Sequence, residues 1–210
     1  MFRAVLFDMD GVLADTEGFF NRRRAAYLAE AFPDYAGPTD FSGLNDCAIW
    51  DEISGGDTTL RDRLHAGYDH FRVAHPVDYA RCGNVDARPV MAKLHAAGML
   101  LAIASSSYPD MIKRLEGTLR LCGMVDCAMS GTQVAAHKPA PDVYLRCMEE
   151  LRVMPSECMV VEDSPIGIAA GLDSGAHVTA LSQYVSPGCD QSAAEVTITR
   201  LVALPALVLG

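Results

Sequence analysis

Short runs of apolar residues recur along the chain, and each is followed by polar residues or by a segment with helical spacing. Runs of this kind, bounded by turn signals, are typical of strands that are buried on both faces of a parallel sheet. The pattern predicts strands at Ala4–Phe7, Met99–Ala104, Cys158–Val161 and His177–Leu181, with a weaker one near Val196.

The segments between these runs have the spacing of amphipathic helices. In the segment Ala87–Gly98, the apolar residues Val90, Met91 and Leu94 fall on one helical face, and Gly98 is placed to end the helix before the next strand. Strands that alternate with helices in this way predict an α/β fold with a parallel sheet.

The alternation is interrupted after the first predicted strand. The stretch "EGFFNRRRAAYLAEAF" predicts a helix, and further polar helical segments follow without a clear strand. We interpret "NRRR", Asn21–Arg24, as a solvated helix face. An all-helical insert of this length predicts a second small domain. The predicted boundaries are residues 1–15 and 85–210 for the α/β core and residues 16–84 for the insert.

Composition narrows the classes of function. The chain has 210 residues, half of them hydrophobic, which is enough for a sizeable core. Its formal net charge of −10 disfavours nucleic acid or an anionic membrane as the main partner, because both are bound mainly by clustered cations. The seven cysteines form no CxxC pair, so we expect reduced, mostly buried thiols. No apolar segment reaches the length of about 18 residues that a membrane helix needs, and we expect a soluble, cytoplasmic monomer.

Polar side chains that can carry chemistry follow several of the predicted strands. Ligands of open α/β sheets bind outside the carboxyl ends of the strands, so these side chains are expected to meet. Carboxylates that meet at strand ends beside one lysine would repel one another unless a cation joined them, and oxygen ligands of this kind suit Mg²⁺. The residues concerned are Asp8, Asp10, Ser105–Ser107, Glu162 and Asp163, together with Lys138 in "AHKPAPD".

The serine run and the lysine suit a phosphate group. Ser105 offers a hydroxyl, the following backbone N–H groups at a helix start form an anion site, and Lys138 adds a positive charge. A carboxylate that approaches a phosphate meets a repulsion of about 1 to 4 kcal/mol per pair of unit charges near 4 Å. Mg²⁺ and Lys138 would offset this repulsion, which makes phosphoryl transfer a natural reaction for the site.

Four segments resemble, in order and spacing, the four motifs of the haloacid dehalogenase superfamily, and they are most similar to its β-phosphoglucomutase-like phosphatase branch. They are "DMDGVLADT", "IASSS", "KPAPDVY" and "VVEDSPIGIAAG". The resemblance implies a doubly wound, Rossmann-like core in which the first-motif and fourth-motif strands are neighbours, so that Asp163 lies beside Asp8. It also implies that the all-helical insert is a small cap domain, which closes over the site and selects the leaving group.

The resemblance implies catalytic roles for the first motif. Asp8 would be the nucleophile that forms an aspartyl-phosphate. Asp10 would be the general acid that protonates the leaving alcohol and then the base that activates water, which requires a raised pKa for Asp10. Ser105, Ser106 and Lys138 would hold the phosphoryl oxygens.

The resemblance also implies a metal site and a specificity loop. Asp8, the carbonyl of Asp10 and Asp163 would bind Mg²⁺, and Glu162 would join them directly or through water. The segment "FSGLND" lies where family members place a substrate-contacting cap loop, so Asn45 and Asp46 are candidates for substrate specificity. The predicted function is a Mg²⁺-dependent phosphatase that acts on a small phosphorylated metabolite, such as a sugar phosphate.

A sugar phosphomutase is the main alternative function. β-Phosphoglucomutases that resemble this chain carry a histidine at the position of Phe20 and an arginine at the position of Asp46. Both differences remove contacts to a second phosphate, which favours water as the final acceptor. Arg22–Arg24 or Arg72 could supply the missing charge from elsewhere in the insert.

Three other functions fit the residues less well. A dehalogenase generally lacks the second acid, which is present here as Asp10. A phosphonatase needs a lysine in the cap, whereas the lysines of this chain are Lys93, Lys113 and Lys138. A non-catalytic protein that binds a phosphorylated metabolite would have no need for the complete set of motif residues.

Overall fold

The computed structural model describes residues 1–41, 46–185 and 188–210. In these ranges the strands form one six-stranded sheet of order β3-β2-β1-β4-β5-β6, and every neighbouring pair is parallel. The strands are β1 (Ala4–Phe7), β2 (Leu100–Ser105), β3 (Cys127–Ser130), β4 (Cys158–Glu162), β5 (His177–Leu181) and β6 (Val196–Ile198).

Helices connect the strands and make up the insert. They are α1 (Glu17–Ala31), α2 (Asp46–Ser54), α3 (Thr58–Ala74), α4 (Tyr79–Cys82), α5 (Ala87–Ala96), α6 (Pro109–Leu119), α7 (Asp142–Leu151), α8 (Pro165–Asp173) and α9 (Leu204–Leu209). Short 3-10 helices occupy Gly131–Gln133, Pro155–Glu157 and Leu201–Ala203. This arrangement confirms the predicted α/β, Rossmann-like fold.

The predicted strands are observed, with ends that shift by one residue at most where a range was given. β1 is completely buried along its length, as expected for a central strand between β2 and β4. The sequence did not predict β3, whose residues "CAMS" are only partly buried at the edge of the sheet. An edge strand with small and polar residues gives no continuous apolar run, so the pattern carries little signal there.

The helix predicted before β2 is confirmed. α5 buries Val90, Met91 and Leu94 on one face. Gly98 follows the helix with a φ of +81°, the left-handed conformation in which glycine avoids the steric cost of a Cβ. The turn thus delivers the chain directly into β2.

The chain divides into two compact units, residues 1–15 with 79–210 and residues 16–78. Residues 79–84, which were predicted to belong to the insert, group with the sheet. Asp15 N donates to Cys82 O at 2.8 Å, and a β-bridge joins Ala14 to Gly83, so the returning chain is paired with the segment after β1.

The core of the larger unit is aliphatic and lies around the central strands. It includes Leu6, Ala102, Val143, Val160, Ile168 and Val178.

The cysteines whose side chains are described are free thiols. Of these, Cys147 and Cys158 are buried, and Cys122 is exposed. The expectation of mostly buried thiols is therefore wrong.

No helix in the described ranges combines the length and apolar character that crossing a bilayer requires.

The core of the smaller unit is largely aromatic. It contains Tyr27, Leu28, Phe41, Ile49, Trp50, Ile53, Leu64 and Tyr68. The ring centroids of Tyr27 and Trp50 are 6.1 Å apart in an edge-to-face arrangement, which is a favoured geometry for aromatic pairs. The Tyr27 hydroxyl donates to the Leu64 carbonyl at 2.8 Å and ties α1 to α3.

Two arginines of α1 are part of this aromatic interior. Arg23 and Arg24 are buried, so the interpretation of Asn21–Arg24 as a solvated helix face is wrong for these two residues. Arg23 Nε donates to the Tyr68 hydroxyl at 3.0 Å, and its guanidinium carbon lies 5.2 Å from the Phe20 ring centroid. A planar guanidinium stacks on aromatic rings, which lets these positions be buried without an apolar side chain.

Candidate active site

Three strands of the sheet bring the first, second and fourth motifs to one edge. β1 pairs with β2 on one side and with β4 on the other, and Phe7 is in register with both Ile103 and Val161. Asp8 N continues the ladder by donating to Val161 O at 2.9 Å. Because the strands are parallel, their carboxyl ends lie together, and the side chains that follow them meet there.

Lys138 links the carboxylates at this edge. Its Nζ lies 2.6 Å from Asp8 Oδ1 and 2.7 Å from Glu162 Oε1, and it donates to Ala104 O at 3.0 Å. The loop that carries it is anchored by Ala136 N, which donates to Asp142 Oδ1 at the start of α7. The side chain is 4% exposed, so these charges interact with little screening by water.

Burial and charge act in opposite directions on these groups. Burial raises the pKa of the Asp8 carboxyl above its ordinary value, the Lys138 ammonium lowers it, and the Glu162 and Asp10 carboxylates raise it. Burial works against the charged form of Lys138, but the Asp8 and Glu162 carboxylates outweigh it, so the pKa of Lys138 is raised and the ammonium stays protonated. The site therefore has a permanent positive charge beside Asp8, whose pKa stays well above its ordinary value because burial outweighs the effect of the ammonium.

Glu162 has both carboxylate oxygens engaged by the protein. Oε1 accepts from Lys138 and from the Tyr144 hydroxyl, each at 2.7 Å. Oε2 accepts from Asp163 N at 3.0 Å and from Ser164 Oγ at 3.3 Å. These contacts fix Lys138 and the turn into α8 at the same time.

Two glycines make room for the acidic residues. Gly11 has a φ of +83°, and a Cβ there would lie 1.9 Å from Asp163 Oδ2. A Cβ at Gly167 would lie 1.9 Å from Glu162 Oε1. Any larger residue at either position would displace a carboxylate from the edge of β4.

Asp8, Glu162 and Asp163 each offer a carboxylate oxygen, and these oxygens lie within 4.8 Å of one another. These three acidic side chains lie beside one lysine, Lys138, so acidic groups outnumber basic ones in the cluster. Oxygen donors in such a cluster fit a hard divalent cation such as Mg²⁺. A cation there would also oppose the effect of burial on the pKa of Asp8.

The second motif contacts the first through serine hydroxyls. Ser105, at the end of β2, is buried, and its Oγ is 3.5 Å from Asp10 Oδ2. Ser107 Oγ donates to the same oxygen at 2.6 Å, which is the shorter contact. Ser106, between them, is exposed. The structure thus brings Ser105, one of the two predicted phosphate-binding serines, to Asp10 and adds Ser107, for which the sequence analysis predicted no separate role.

Two further residues near the site lacked a predicted role. Tyr144 belongs to the third motif, "KPAPDVY". A buried tyrosine hydroxyl usually has a hydrogen-bond partner, and here it donates to Glu162 Oε1. Asn84 donates through Nδ2 to Val12 O at 2.8 Å and through its backbone N to Leu13 O at 2.8 Å, so it fixes the turn after Asp10. No local sequence signal marks Asn84, because its partners lie far away in the chain.

The predicted specificity residues belong to the smaller unit. Asn45 lies outside the described residues. Asp46 begins α2, where its Oδ2 is 2.8 Å from His65 Nε2 and its Oδ1 accepts from Trp50 Nε1 at 3.2 Å. The hydrogen bond to Asp46 raises the pKa of His65, against a smaller opposing effect of burial. The Asp46 carboxylate therefore has partners within its own unit.

Comparisons with known proteins agree with the fold and the motifs. Residues 2–175 match the sequence model of haloacid dehalogenase-like hydrolases. The protein CbbY of Rhodobacter capsulatus is 29% identical over 220 residues, which cover 96% of this chain and 94% of that protein. A phosphorylated carbohydrates phosphatase of Thermotoga maritima is 30% identical over 181 residues, 82% of this chain and 81% of that protein.

A solved structure gives the same result for the fold. CbbY of Rhodobacter sphaeroides, in complex with xylulose-(1,5)bisphosphate, superposes with a TM-score of 0.79 and 21% identity over 97% of this chain and 96% of that chain. The chain belongs to the haloacid dehalogenase-like hydrolase family, which confirms the family and the hydrolase class that its four motifs predict.

Proposed function

We propose that this protein is a Mg²⁺-dependent phosphatase that hydrolyses a small phosphorylated metabolite, such as a sugar phosphate, through an aspartyl-phosphate on Asp8. The observation that carries the proposal is the 2.6 Å contact between Lys138 Nζ and Asp8 Oδ1 at the carboxyl end of the central strand. The Lys138 ammonium lowers the pKa of the Asp8 carboxyl against the larger raising effect of burial, which favours the ionised nucleophile, and it places a cation beside the incoming phosphoryl group.

The donor set supports a metal site at this edge. Asp8, Asp163 and the carbonyl of Asp10 would hold Mg²⁺, with Glu162 acting through water, because both Glu162 oxygens already accept hydrogen bonds from the protein. When bound, Mg²⁺ neutralises charge on the phosphoryl oxygens and orients the group for in-line attack.

The protein's own residues perform the bond changes. An Asp8 oxygen attacks phosphorus, the bond to the ester oxygen breaks, and that oxygen takes a proton from Asp10 as the alcohol leaves. Water then attacks the aspartyl-phosphate, gives a proton to Asp10, and releases phosphate as the bond between phosphorus and Asp8 breaks. Ser105, Ser106 and Lys138 hold the phosphoryl oxygens in both steps, and Asp10 ends the cycle protonated as it began.

The substrate class rests on the relatives. The Thermotoga maritima protein, 30% identical to this chain, is named for phosphorylated carbohydrates, which supports a sugar phosphate here. We assign the choice of leaving group to the insert, with Asn45 and Asp46 as candidates. Substitutions at Asp46 should then change the preference among sugar phosphates rather than abolish phosphate release.

A panel of phosphate esters tests the proposal. The wild-type chain is assayed with Mg²⁺ for phosphate release from p-nitrophenyl phosphate, glycerol 2-phosphate and common sugar phosphates, and for interconversion of glucose 1-phosphate and glucose 6-phosphate. Phosphate release without interconversion supports the phosphatase. Interconversion without release would replace it with a sugar phosphomutase, and no activity on any ester would favour a binding protein.

The nucleophile is tested by Asp8→Asn, which keeps the size of the side chain and removes its charge. We expect phosphate release to fall below a thousandth of the wild-type rate, because a neutral amide is a far weaker nucleophile than a carboxylate. Asp173→Asn, an exposed position on α8, is the matched control and should keep full activity. Retention of a tenth of the activity by Asp8→Asn contradicts the covalent mechanism.

A further inference from the structure

Ser107 makes a short hydrogen bond with the residue proposed as general acid and base. Its hydroxyl donates to Asp10 Oδ2 at 2.6 Å, whereas the Ser105 hydroxyl is 3.5 Å from the same oxygen. The distance is typical of a strong hydrogen bond between a hydroxyl and a carboxylate. Ser107 therefore makes the shorter of these two serine contacts with Asp10.

The position of Ser107 is itself fixed by two neighbouring strands. Its backbone N donates to Ser105 Oγ at 3.0 Å, at the end of β2. Its carbonyl accepts from Ser130 Oγ at 2.7 Å, and Ser130 is fully buried at the end of β3. The hydroxyl of Ser107 is thus directed at Asp10 by the sheet and not by a freely moving loop.

We propose that Ser107 is a positioning residue for Asp10, an inference that rests on the proposed function. Because the hydroxyl donates to Oδ2 at 2.6 Å, it restricts rotation of the Asp10 carboxyl group. Proton transfer in general acid catalysis requires the donor oxygen to be within hydrogen-bond reach of the ester oxygen. Ser107 fixes the plane of the Asp10 carboxyl for that approach.

This role predicts a dependence on the leaving group. An alkyl phosphate releases an alkoxide that needs the proton from Asp10 as the bond to phosphorus breaks, whereas nitrophenolate leaves without one. The ratio kcat/KM reports formation of the aspartyl-phosphate, the step in which the leaving group departs. Loss of the Ser107 hydroxyl should therefore reduce kcat/KM for alkyl phosphates more than for p-nitrophenyl phosphate.

The experiment compares wild type with Ser107→Ala and Ser107→Thr on p-nitrophenyl phosphate and on the alkyl phosphate of the panel that wild type hydrolyses fastest. We expect Ser107→Ala to lower kcat/KM about 10- to 100-fold for the alkyl phosphate, and less than about 3-fold for p-nitrophenyl phosphate. Ser107→Thr keeps a hydroxyl and should recover most of the loss. The ratio of the two values does not depend on how much of a preparation is folded.

Ser174→Ala is the matched control, because the Ser174 hydroxyl donates to Gly171 O at 2.6 Å within α8 and has no contact with Asp10 among the described residues. Its ratio should equal that of wild type. An equal loss on both substrates, or no loss, in Ser107→Ala overturns the positioning role while leaving the phosphatase intact. A wild-type chain without phosphatase activity overturns both, and this result appears before any variant is made.

Discussion

At the scale of single residues, Lys138 allows two carboxylates to be buried within reach of each other. Its Nζ contacts Asp8 and Glu162 at 2.6 and 2.7 Å. Removing a charged group from water costs several kcal/mol unless it is paired and hydrogen-bonded, and the lysine supplies both kinds of contact to the two acids. The same contacts hold the lysine in place, so the residues that fix Glu162 also fix Lys138.

Tyr144 supplies one of these contacts and leads to a stability prediction. Tyr144→Phe removes the hydroxyl that donates to Glu162 Oε1 at 2.7 Å but keeps the ring, which lies 4.7 Å from Lys138 Nζ. Because the buried carboxylate loses a donor that water cannot replace, we expect the free energy of unfolding to fall by about 2 kcal/mol. Urea unfolding of the purified variant measures the change.

The control for this substitution is Tyr35→Phe, whose hydroxyl donates to Pro38 O in an exposed setting. Loss of that bond should change the free energy of unfolding by less than about 0.5 kcal/mol, because water takes the place of the partner. Similar changes in the two variants would show that the Tyr144 hydroxyl does not stabilise Glu162.

At the scale of elements, the order of the strands assembles the site. β1 lies between β2 and β4, so the motifs that follow these three strands are adjacent although they are distant in sequence. In the smaller unit, a side-chain pair joins two helices in a comparable way. Asp46 in the first turn of α2 contacts His65 of α3 at 2.8 Å, and the rings of His65 and Trp50 are stacked with centroids 5.8 Å apart.

The contact between Asp46 and His65 predicts a pH dependence of stability. The pKa of His65 is raised above 6.5 because the hydrogen bond to Asp46 favours the protonated ring. The pair therefore stabilises the folded chain fully below the pKa of the unfolded state, about 6.5, and this stabilisation is lost as the pH rises through the higher folded pKa. The expected effect is modest, since both side chains are about a third exposed.

Thermal unfolding of wild type and His65→Gln between pH 5.5 and 8.5 measures this effect. The advantage of wild type should be largest at the acidic end and should shrink towards the alkaline end. His70→Gln, at an exposed histidine of the same helix, should show a difference from wild type that varies less with pH. A difference for His65→Gln that is constant across the range contradicts the ion pair.

At the scale of the whole molecule, acidic residues outnumber basic ones, and three of them cluster beside Lys138 at the carboxyl end of the sheet. The chain carries a formal net charge of −10, and the carboxylate oxygens of Asp8, Glu162 and Asp163 lie within 4.8 Å of one another. Repulsion among these groups weakens the folded state in the absence of a cation. A divalent cation that binds the folded chain but not the unfolded chain should therefore stabilise the larger unit.

Mg²⁺ should raise the thermal unfolding midpoint in the absence of any substrate. At ten times its dissociation constant, binding adds about 1.4 kcal/mol, which corresponds to a rise of about 3 to 6 °C for a chain of this size. Gly11→Ala should lose most of this rise, because a Cβ there would lie 1.9 Å from Asp163 Oδ2. Differential scanning calorimetry with and without Mg²⁺ measures both values.

Gly98→Ala provides the matched control for this prediction. Gly98 has a φ of +81°, close to the +83° of Gly11, but a Cβ at Gly98 would meet nothing within 4 Å. Both variants bear the strain of a left-handed alanine, so both should be less stable than wild type. Gly98→Ala should nevertheless keep the full response to Mg²⁺, and an equal response in the two variants would contradict the role of Asp163 in metal binding.

The amino-acid sequence was sufficient to predict the α/β class, the central strands and the residues that follow them. Continuous apolar runs specify strands buried on both faces, and the four motifs specify the family. The interpretation of Arg23 and Arg24 as part of a solvated helix face was wrong, because helical spacing does not reveal that aromatic rings can bury a guanidinium. No role was predicted for Ser107, Tyr144 or Asn84.

Which of these side chains are in contact depends on the tertiary structure. The contacts of Ser107 with Asp10, of Tyr144 with Glu162 and of Asn84 with Val12 join residues that are far apart along the chain. Hydrogen bonds of this kind depend on strand order and on distances of a few ångströms, which leave no periodic trace in the sequence. Local patterns follow from local backbone geometry, whereas the partners of a buried polar group follow from the packing of the whole unit.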